Sequence, residues 1–265
     1  MLTDSHCHLD AAEFDADRDD VIARARAAGV TTQVIPAIGV TGFGPIGALC
    51  RAHDGLHPAW GLHPMFTGQH RPEHLALLRD WLQRERPVAV GECGLDFWIE
   101  DADAEAQRGY FNAQLELARE FELPLILHAR RALEEVTLAL RRVGSLRGVV
   151  HSFSGSPEQA RQLWALGFLI GIGGPVTWPR ARRLRRIVSG MPIEFLVLET
   201  DAPDQPLHGH RGERNEPARL AEVCRVVAEL RDESPDDIAR ATTANARRLF
   251  GLAAGRWTPG DAPPP

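Results

Sequence analysis

The sequence predicts an α/β protein folded as one closed TIM (β/α)8 barrel. Three observations carry this. Eight short apolar segments alternate with eight helical ones along 265 residues, a length that a single barrel fills. The apolar segments, among them Val34-Ile35-Pro36-Ala37-Ile38, Pro124-Leu125-Ile126-Leu127 and Phe195-Leu196-Val197-Leu198, read as parallel strands covered on both faces. No Gly-x-Gly-x-x-Gly follows the first of them, which weakens the case for an open dinucleotide-binding sheet.

Leu2 to His8 reads as the first strand, and residues 15–29, acidic at the start and ending at Gly29, as a helix. Strand two is Val30 to Ile38, followed by a helix from Phe43 to His53. Strand three, Leu56 to Leu62, runs into Gly61-Leu62-His63-Pro64, and Pro72 opens a helix that reaches Arg86. Strand four is Val88 to Glu92, with a long amphipathic helix from Ala104 to Glu122. Strand five is Leu125 to His128 and its helix Ala132 to Arg142. Strand six is Gly148 to His151, and Pro157, near the first turn, opens the helix to Leu166. Strand seven is Phe168 to Ile172, with a helix from Pro179 to Ser189. Strand eight is Phe195 to Glu199, with a helix from Pro217 to Leu230. One more helix covers Pro235 to Phe250. Residues 1–252 form one domain on this reading, and residues 253–265 a disordered proline-rich tail.

Composition narrows the chemistry. A hydrophobic content of 44% supports a sizeable core, and no run approaches a transmembrane span. The first residues lack a basic region followed by an apolar stretch, so a cytoplasmic location with no membrane contact is expected. Cys7, Cys50, Cys93 and Cys224 form no Cys-x-x-Cys pair, which argues against a disulfide framework or a zinc knuckle. A net charge of −6 disfavours coating nucleic acid by bulk electrostatics, although divalent ions and local arginines can hold phosphates in a small site. All 30 basic residues are arginine. Without lysine there is no Schiff base, no Walker lysine and no carboxylated lysine between two metals. A bridge between two ions would have to be a carboxylate.

Asp4-Ser5-His6-Cys7-His8 organises the rest. In a strand, residues i and i+2 share a face, so His6 and His8 project together with Asp4 behind them. Two adjacent imidazoles are a ready pair of metal ligands. Glu92, His128, His151 and Asp201 each follow or end a later strand, where barrels of this class place their chemistry. Imidazole and carboxylate without thiolate suit a pair of divalent cations, magnesium, manganese or zinc. In this reading His6, His8 and Asp201 hold one ion, His128 and His151 a second, and Glu92 bridges them. Water activated by the ions is the nucleophile. Asp201 ligates, accepts the water's proton, or does both.

The segments Asp4-Ser5-His6-Cys7-His8-Leu9-Asp10, Gly61-Leu62-His63-Pro64, Gly91-Glu92-Cys93-Gly94-Leu95-Asp96, Leu127-His128-Ala129-Arg130, His151-Ser152-Phe153-Ser154-Gly155 and Glu199-Thr200-Asp201-Ala202-Pro203 resemble the signature segments of the TatD family of metal-dependent hydrolases. The likeness runs in order from Leu2 to Phe250. It implies a metal-dependent hydrolase with His6, His8, Glu92, His128, His151 and Asp201 as ligands. It further implies a deoxyribonuclease, working from 3′ to 5′ on single-stranded DNA. Other members resemble D-aminoacyl-tRNA deacylases, so a tRNA ester or another ester is the alternative substrate. A non-catalytic, partner-binding barrel is a third reading, disfavoured by the complete ligand set. Cys93, Ser152 and Met65 depart from the residues usual at their positions. They touch the rim and so bear on substrate preference.

Four further residues are candidate substrate contacts. His63 is expected to meet a substrate oxygen or leaving group, with packing as the alternative. Arg130 stands two residues beyond His128 and suits a phosphate oxygen. Trp98, with Asp96 and Phe97 in the loop after strand four, can stack on a base. Arg180 leads a run with Arg182, Arg183, Arg185 and Arg186, which otherwise reads as a solvated helix face. His208, His210 and Arg211 lie in a long loop beyond Asp201. No heptad or large apolar stripe is evident, so a monomer is expected.

Overall fold

The computed structural model describes residues 1–100, 103–252 and 255–260. The strands are β1 (Leu2–Asp4), β2 (Val30–Pro36), β3 (Leu56–Trp60), β4 (Ala89–Asp96), β5 (Leu125–Arg130), β6 (Gly148–Val150), β7 (Phe168–Ile172) and β8 (Leu196–Leu198). They lie side by side in chain order, each parallel to the next. The ring closes through backbone bonds between its first and last segments. Ser5 N donates to Leu198 O at 2.9 Å, Asp201 N to His6 O at 2.9 Å, and His8 N to Ala202 O at 2.7 Å. The (β/α)8 barrel expected from the alternation is the fold observed.

Helices α1 (Arg18–Ala27), α2 (Val40–Ala52), α3 (Glu73–Glu85), α4 (Ala104–Glu120), α5 (Leu133–Val143), α6 (Pro157–Ala165), α7 (Arg182–Gly190), α8 (Leu220–Arg231) and α9 (Pro235–Phe250) complete it. Local sequence explains several ends. Ser156 and Gln159 form a reciprocal capping box at the start of α6, ahead of Pro157. Ser234 caps α9, and Gly251 ends it in the left-handed region at φ 63°. Among the described residues, no helix is long and apolar enough to cross a membrane.

Two apolar layers result. Val34, Ala59, Ile126, Val149, Leu169 and Val197, one from each of six strands, pack with Leu249, Phe250 and Leu252. α9 thus plugs one end of the barrel. It is the end where the strands start, because Asn245 Nδ2 bonds the carbonyls of Ile193 and Leu196, just before and at the start of β8. The opposite end, beyond the strands, is left for polar chemistry.

Strand lengths differ from expectation where the site lies. β1 stops at Asp4, because the Asp4 carboxylate takes the backbone N–H of His6 (3.2 Å) and of Thr200 (3.0 Å). His6 and His8 therefore sit on an irregular segment laid against the residues after β8. β4 continues past Glu92 to Asp96, and β5 past His128 to Arg130. The expected disordered tail also needs correction. Residues 253–254 and 261–265 lie outside the described residues, but 255–260 pack on the barrel. Trp257 is buried, its indole N–H reaches Arg86 O at 3.3 Å, and its ring meets Trp60 edge-on. Gly55 N bonds Gly255 O. One large indole supplies enough apolar area to hold a segment whose overall composition is that of a loose tail.

α4 fixes two of the loops that carry the site. Gln114 accepts from Leu62 N (2.7 Å) and donates to Leu62 O (3.1 Å), beside His63. Gln107, two turns earlier on the same buried face, makes the same pair of bonds with Asp96 N and O, at 2.8 and 3.0 Å. A side-chain amide carries a donor and an acceptor side by side and so satisfies both backbone atoms at once.

Candidate active site

All six expected ligands converge at the open end of the barrel. His6 Nε2 and His8 Nε2 are 3.2 Å apart. Glu92 Oε2 stands 3.2 Å from the first and 3.5 Å from the second. Asp201 Oδ1 stands 3.4 and 3.7 Å from the same two nitrogens. A divalent ion about 2.1 Å from four tetrahedral donors separates neighbouring donors by about 3.4 Å. The separations given match the spacing of donors at the corners of such a sphere, so His6, His8 and Glu92 could hold an ion, with Asp201 in reach of the same two nitrogens.

The other oxygen of Glu92 faces a different group. Oε1 is 3.0 Å from His63 Nε2, 3.1 Å from His128 Nδ1 and 3.4 Å from His151 Nε2. His63, Glu92 and His128 likewise have the spacing to hold an ion. His63 differs from the others in one respect. Its Nδ1 accepts the Met65 backbone N–H at 3.1 Å, so in the neutral ring the proton is on Nε2. That nitrogen is then a donor toward Glu92 and not a free ligand.

The electrostatics are those of a site built for cations. Glu92 is fully enclosed, and burial opposes its charge, but His63, His6 and His151 outweigh this and hold it well below the usual carboxylate range. Burial pushes Asp201 up to about 6 against the pull of His151 and His8. Burial works against protonation of His151, yet Glu92, Asp201 and Glu199 hold it at about 10. So many ionisable groups in one enclosed end are costly unless shared charge compensates them.

The chain matches the family described as TatD related DNase over residues 3–251. The chain belongs to the TatD family. An uncharacterized metal-dependent hydrolase of Escherichia coli K12, YjjV, is 41% identical over 252 residues, 94% of this chain and 97% of the relative. The crystal structure of YjjV superposes with a TM-score of 0.91 at 39% identity, covering 95% of this chain and 98% of that one. A protein of Erwinia amylovora named 3′-5′ ssDNA/RNA exonuclease TatD is 37% identical, over 95% of this chain and all of the relative. Membership makes this chain a metal-dependent hydrolase.

In this TatD-family barrel a further set of side chains holds the converging ones, and of these the sequence pattern pointed to Asp4 alone. Asp96 Oδ2 bonds His128 Nε2 at 2.8 Å, which turns Nδ1 toward Glu92. Asp96 lies four residues beyond Glu92 on β4, on the same face by alternation, which is the signal that could have found it. Gly94 between them is bare because a Cβ there would meet His128 O at 2.0 Å. Gln205 Nε2 donates to Asp201 Oδ2 at 2.6 Å and to Ser152 Oγ at 2.7 Å. Asp201 itself has φ 56°, a left-handed backbone uncommon for aspartate, and this turn aims Oδ1 inward. Asp4, behind the pair of histidines as expected, ties β1 to Thr200 through the hydroxyl at 2.6 Å.

His63 lies within the cluster, and the other expected substrate contacts stand farther out. Trp98 is half exposed, and the guanidiniums of Arg130 and Arg131 lie 4.6 and 3.8 Å from its ring centre. Arg180 is exposed ahead of α7, 4.6 Å from the ring centre of Trp178, whose other neighbour is His208. Arg183 and Arg185 turn back to backbone carbonyls of Ser154 and Val176, so that helix is in part self-satisfied. His210 pairs with Glu213 and Glu222.

Proposed function

We propose that this chain is a two-metal phosphodiesterase that shortens single-stranded DNA from its 3′ end. The observation that carries the reading is the division of Glu92, one carboxylate oxygen toward His6 and His8 and the other toward His128 and His151. Divalent cations bound there would supply Lewis acidity for the phosphoryl oxygen and lower the pKa of water toward neutrality. His6, His8, Asp201 and Glu92 would hold one ion; His128, His151 and the second oxygen of Glu92 would hold the other. Asp201, with Oδ2 pinned by Gln205, takes the proton of the attacking water. His63 donates its Nε2–H to a phosphate or leaving-group oxygen placed beside Glu92. Arg130 holds a non-bridging phosphate oxygen, and Trp98 stacks on the adjoining base. The exonuclease name of the Erwinia amylovora relative supports the substrate class.

The test uses metal-stripped protein, restored in turn with magnesium, manganese and zinc, and given end-labelled single-stranded DNA. Stepwise loss from the 3′ end is expected, absent in His128→Ala. Cleavage that persists unchanged in His128→Ala would refute the site. With metals bound and no DNA cleaved, the ester bond of a D-aminoacyl-tRNA becomes the substrate to assay.

A further inference from the structure

His6 and His151 face each other across the barrel mouth as a stacked pair, with ring centroids 3.9 Å apart and planes 16° from parallel. Their Nε2 atoms both point at Glu92, at 3.2 Å from Oε2 and 3.4 Å from Oε1. That leaves the Nδ1 edge of each ring. Both Nδ1 atoms are buried and lack a hydrogen-bond partner among the described residues, and so is the Glu199 oxygen Oε2. Three orphaned polar atoms on neighbouring side chains demand an account, since a buried polar group left unpaired is costly. The three side chains are neighbours: a ring nitrogen of His6, one of His151 and a Glu199 oxygen all lie within 4.8 Å of one another.

The chemistry of the rings decides what joins them. An imidazole that gives its Nε2 lone pair to a cation and remains neutral carries its proton on Nδ1. Two such rings present two N–H donors into one small space. A third cation there would require both rings to be imidazolates. A carboxylate is the fitting partner, and Glu199 is already there. Its Oε1 accepts Ser152 N at 2.6 Å and stands 3.4 Å from His151 Nδ1. Its Oε2 occupies the space over Gly171, where a Cβ would come within 2.1 Å of it. The bare backbone of β7 at that point is what admits the carboxylate.

We propose that Glu199 is a single positioning residue shared by the two metal sites. It accepts the Nδ1–H of His6, a ligand of the ion held with His8 and Asp201, and that of His151, a ligand of the ion held with His128. It acts on His151 directly and on His6 directly or across one water. The inference rests on the metal-dependent reading above and adds to it a physical link between the two ions. Asp96 provides the contrast, because His128 is the one expected ligand its carboxylate bonds among the described residues, and so it serves one ion.

Zinc and manganese binding to the full chain, measured by calorimetry with a competing chelator, tests this. Glu199→Gln and Gly171→Ala are each expected to weaken both sites by about 10–100-fold, while Asp96→Asn weakens one. A role confined to folding would lower stability and leave both affinities in place. The unsubstituted protein gives an independent reading. Histidine nitrogen–proton correlation spectra of the zinc-loaded chain should show the His6 and His151 protons on Nδ1. A proton on Nε2 of either ring, or a Glu199→Gln protein with one site at full affinity, overturns the proposal while the metal reading stands. Failure of the unsubstituted chain to bind either metal overturns both.

Discussion

His57 offers a direct test of how burial alone shapes this protein. It lies on β3 with 4% of its surface exposed, and its Nε2 has no hydrogen-bond partner among the described residues. Burial pushes its pKa from 6.5 down to about 4. The folded protein thus refuses a proton that the unfolded chain accepts. Below 6.5 the unfolded state binds more protons, so stability falls as pH drops, and the loss levels off only below about 4. Each pKa unit is worth about 1.4 kcal/mol, which puts the loss at ~2 kcal/mol at pH 5 and ~3 kcal/mol in full. His57→Leu, similar in volume, removes this titration. Urea unfolding at pH 7.5 and at pH 5.0 should show the parent losing about 2 kcal/mol more than the variant over that interval. The other titrating groups cancel in the difference. Parallel losses in the two proteins would refute the reasoning, because they would mean His57 keeps its proton affinity when folded.

Other outcomes follow from particular contacts. Trp257→Ala should cost about 3 kcal/mol in urea unfolding, by emptying the space beside Trp60, with nucleic acid cleavage unaltered. Arg130→Ala should raise KM for a single-stranded oligonucleotide about tenfold, leave kcat nearly constant, and flatten the salt dependence by about one unit of slope. Gln114→Leu frees both backbone atoms of Leu62, and kcat should fall about tenfold while circular dichroism stays that of the parent.

The barrel was legible in the sequence because eight apolar segments with regular spacing have few other ways to be covered. The convergent side chains were legible for a similar reason: a rule about strand ends reduces a three-dimensional question to a linear one. Where the residue lies beside the strand end but acts across to another strand, the rule gave nothing. Asp96 reaches β5 and Glu199 reaches the segment after β6, so their partners depend on the register of neighbours and not on local pattern. Gln107 and Gln114 read as ordinary polar positions of an amphipathic helix, yet their amides face inward. Trp257 was obscured by the prolines and glycines around it, since composition averages over the one residue that packs.

The two glutamines of α4 have a consequence for how this barrel tolerates change in length. Seven residues apart, they stand two turns and about 10.5 Å from each other along the axis. The loops after β3 and β4 are clamped at that interval, so the helix serves as a fixed gauge between them. Inserting or deleting one residue within 107–114 rotates one amide by about 100° and releases its loop. Any graft that exchanges loops at this rim must therefore keep that helical segment intact, however freely its outward face is rewritten.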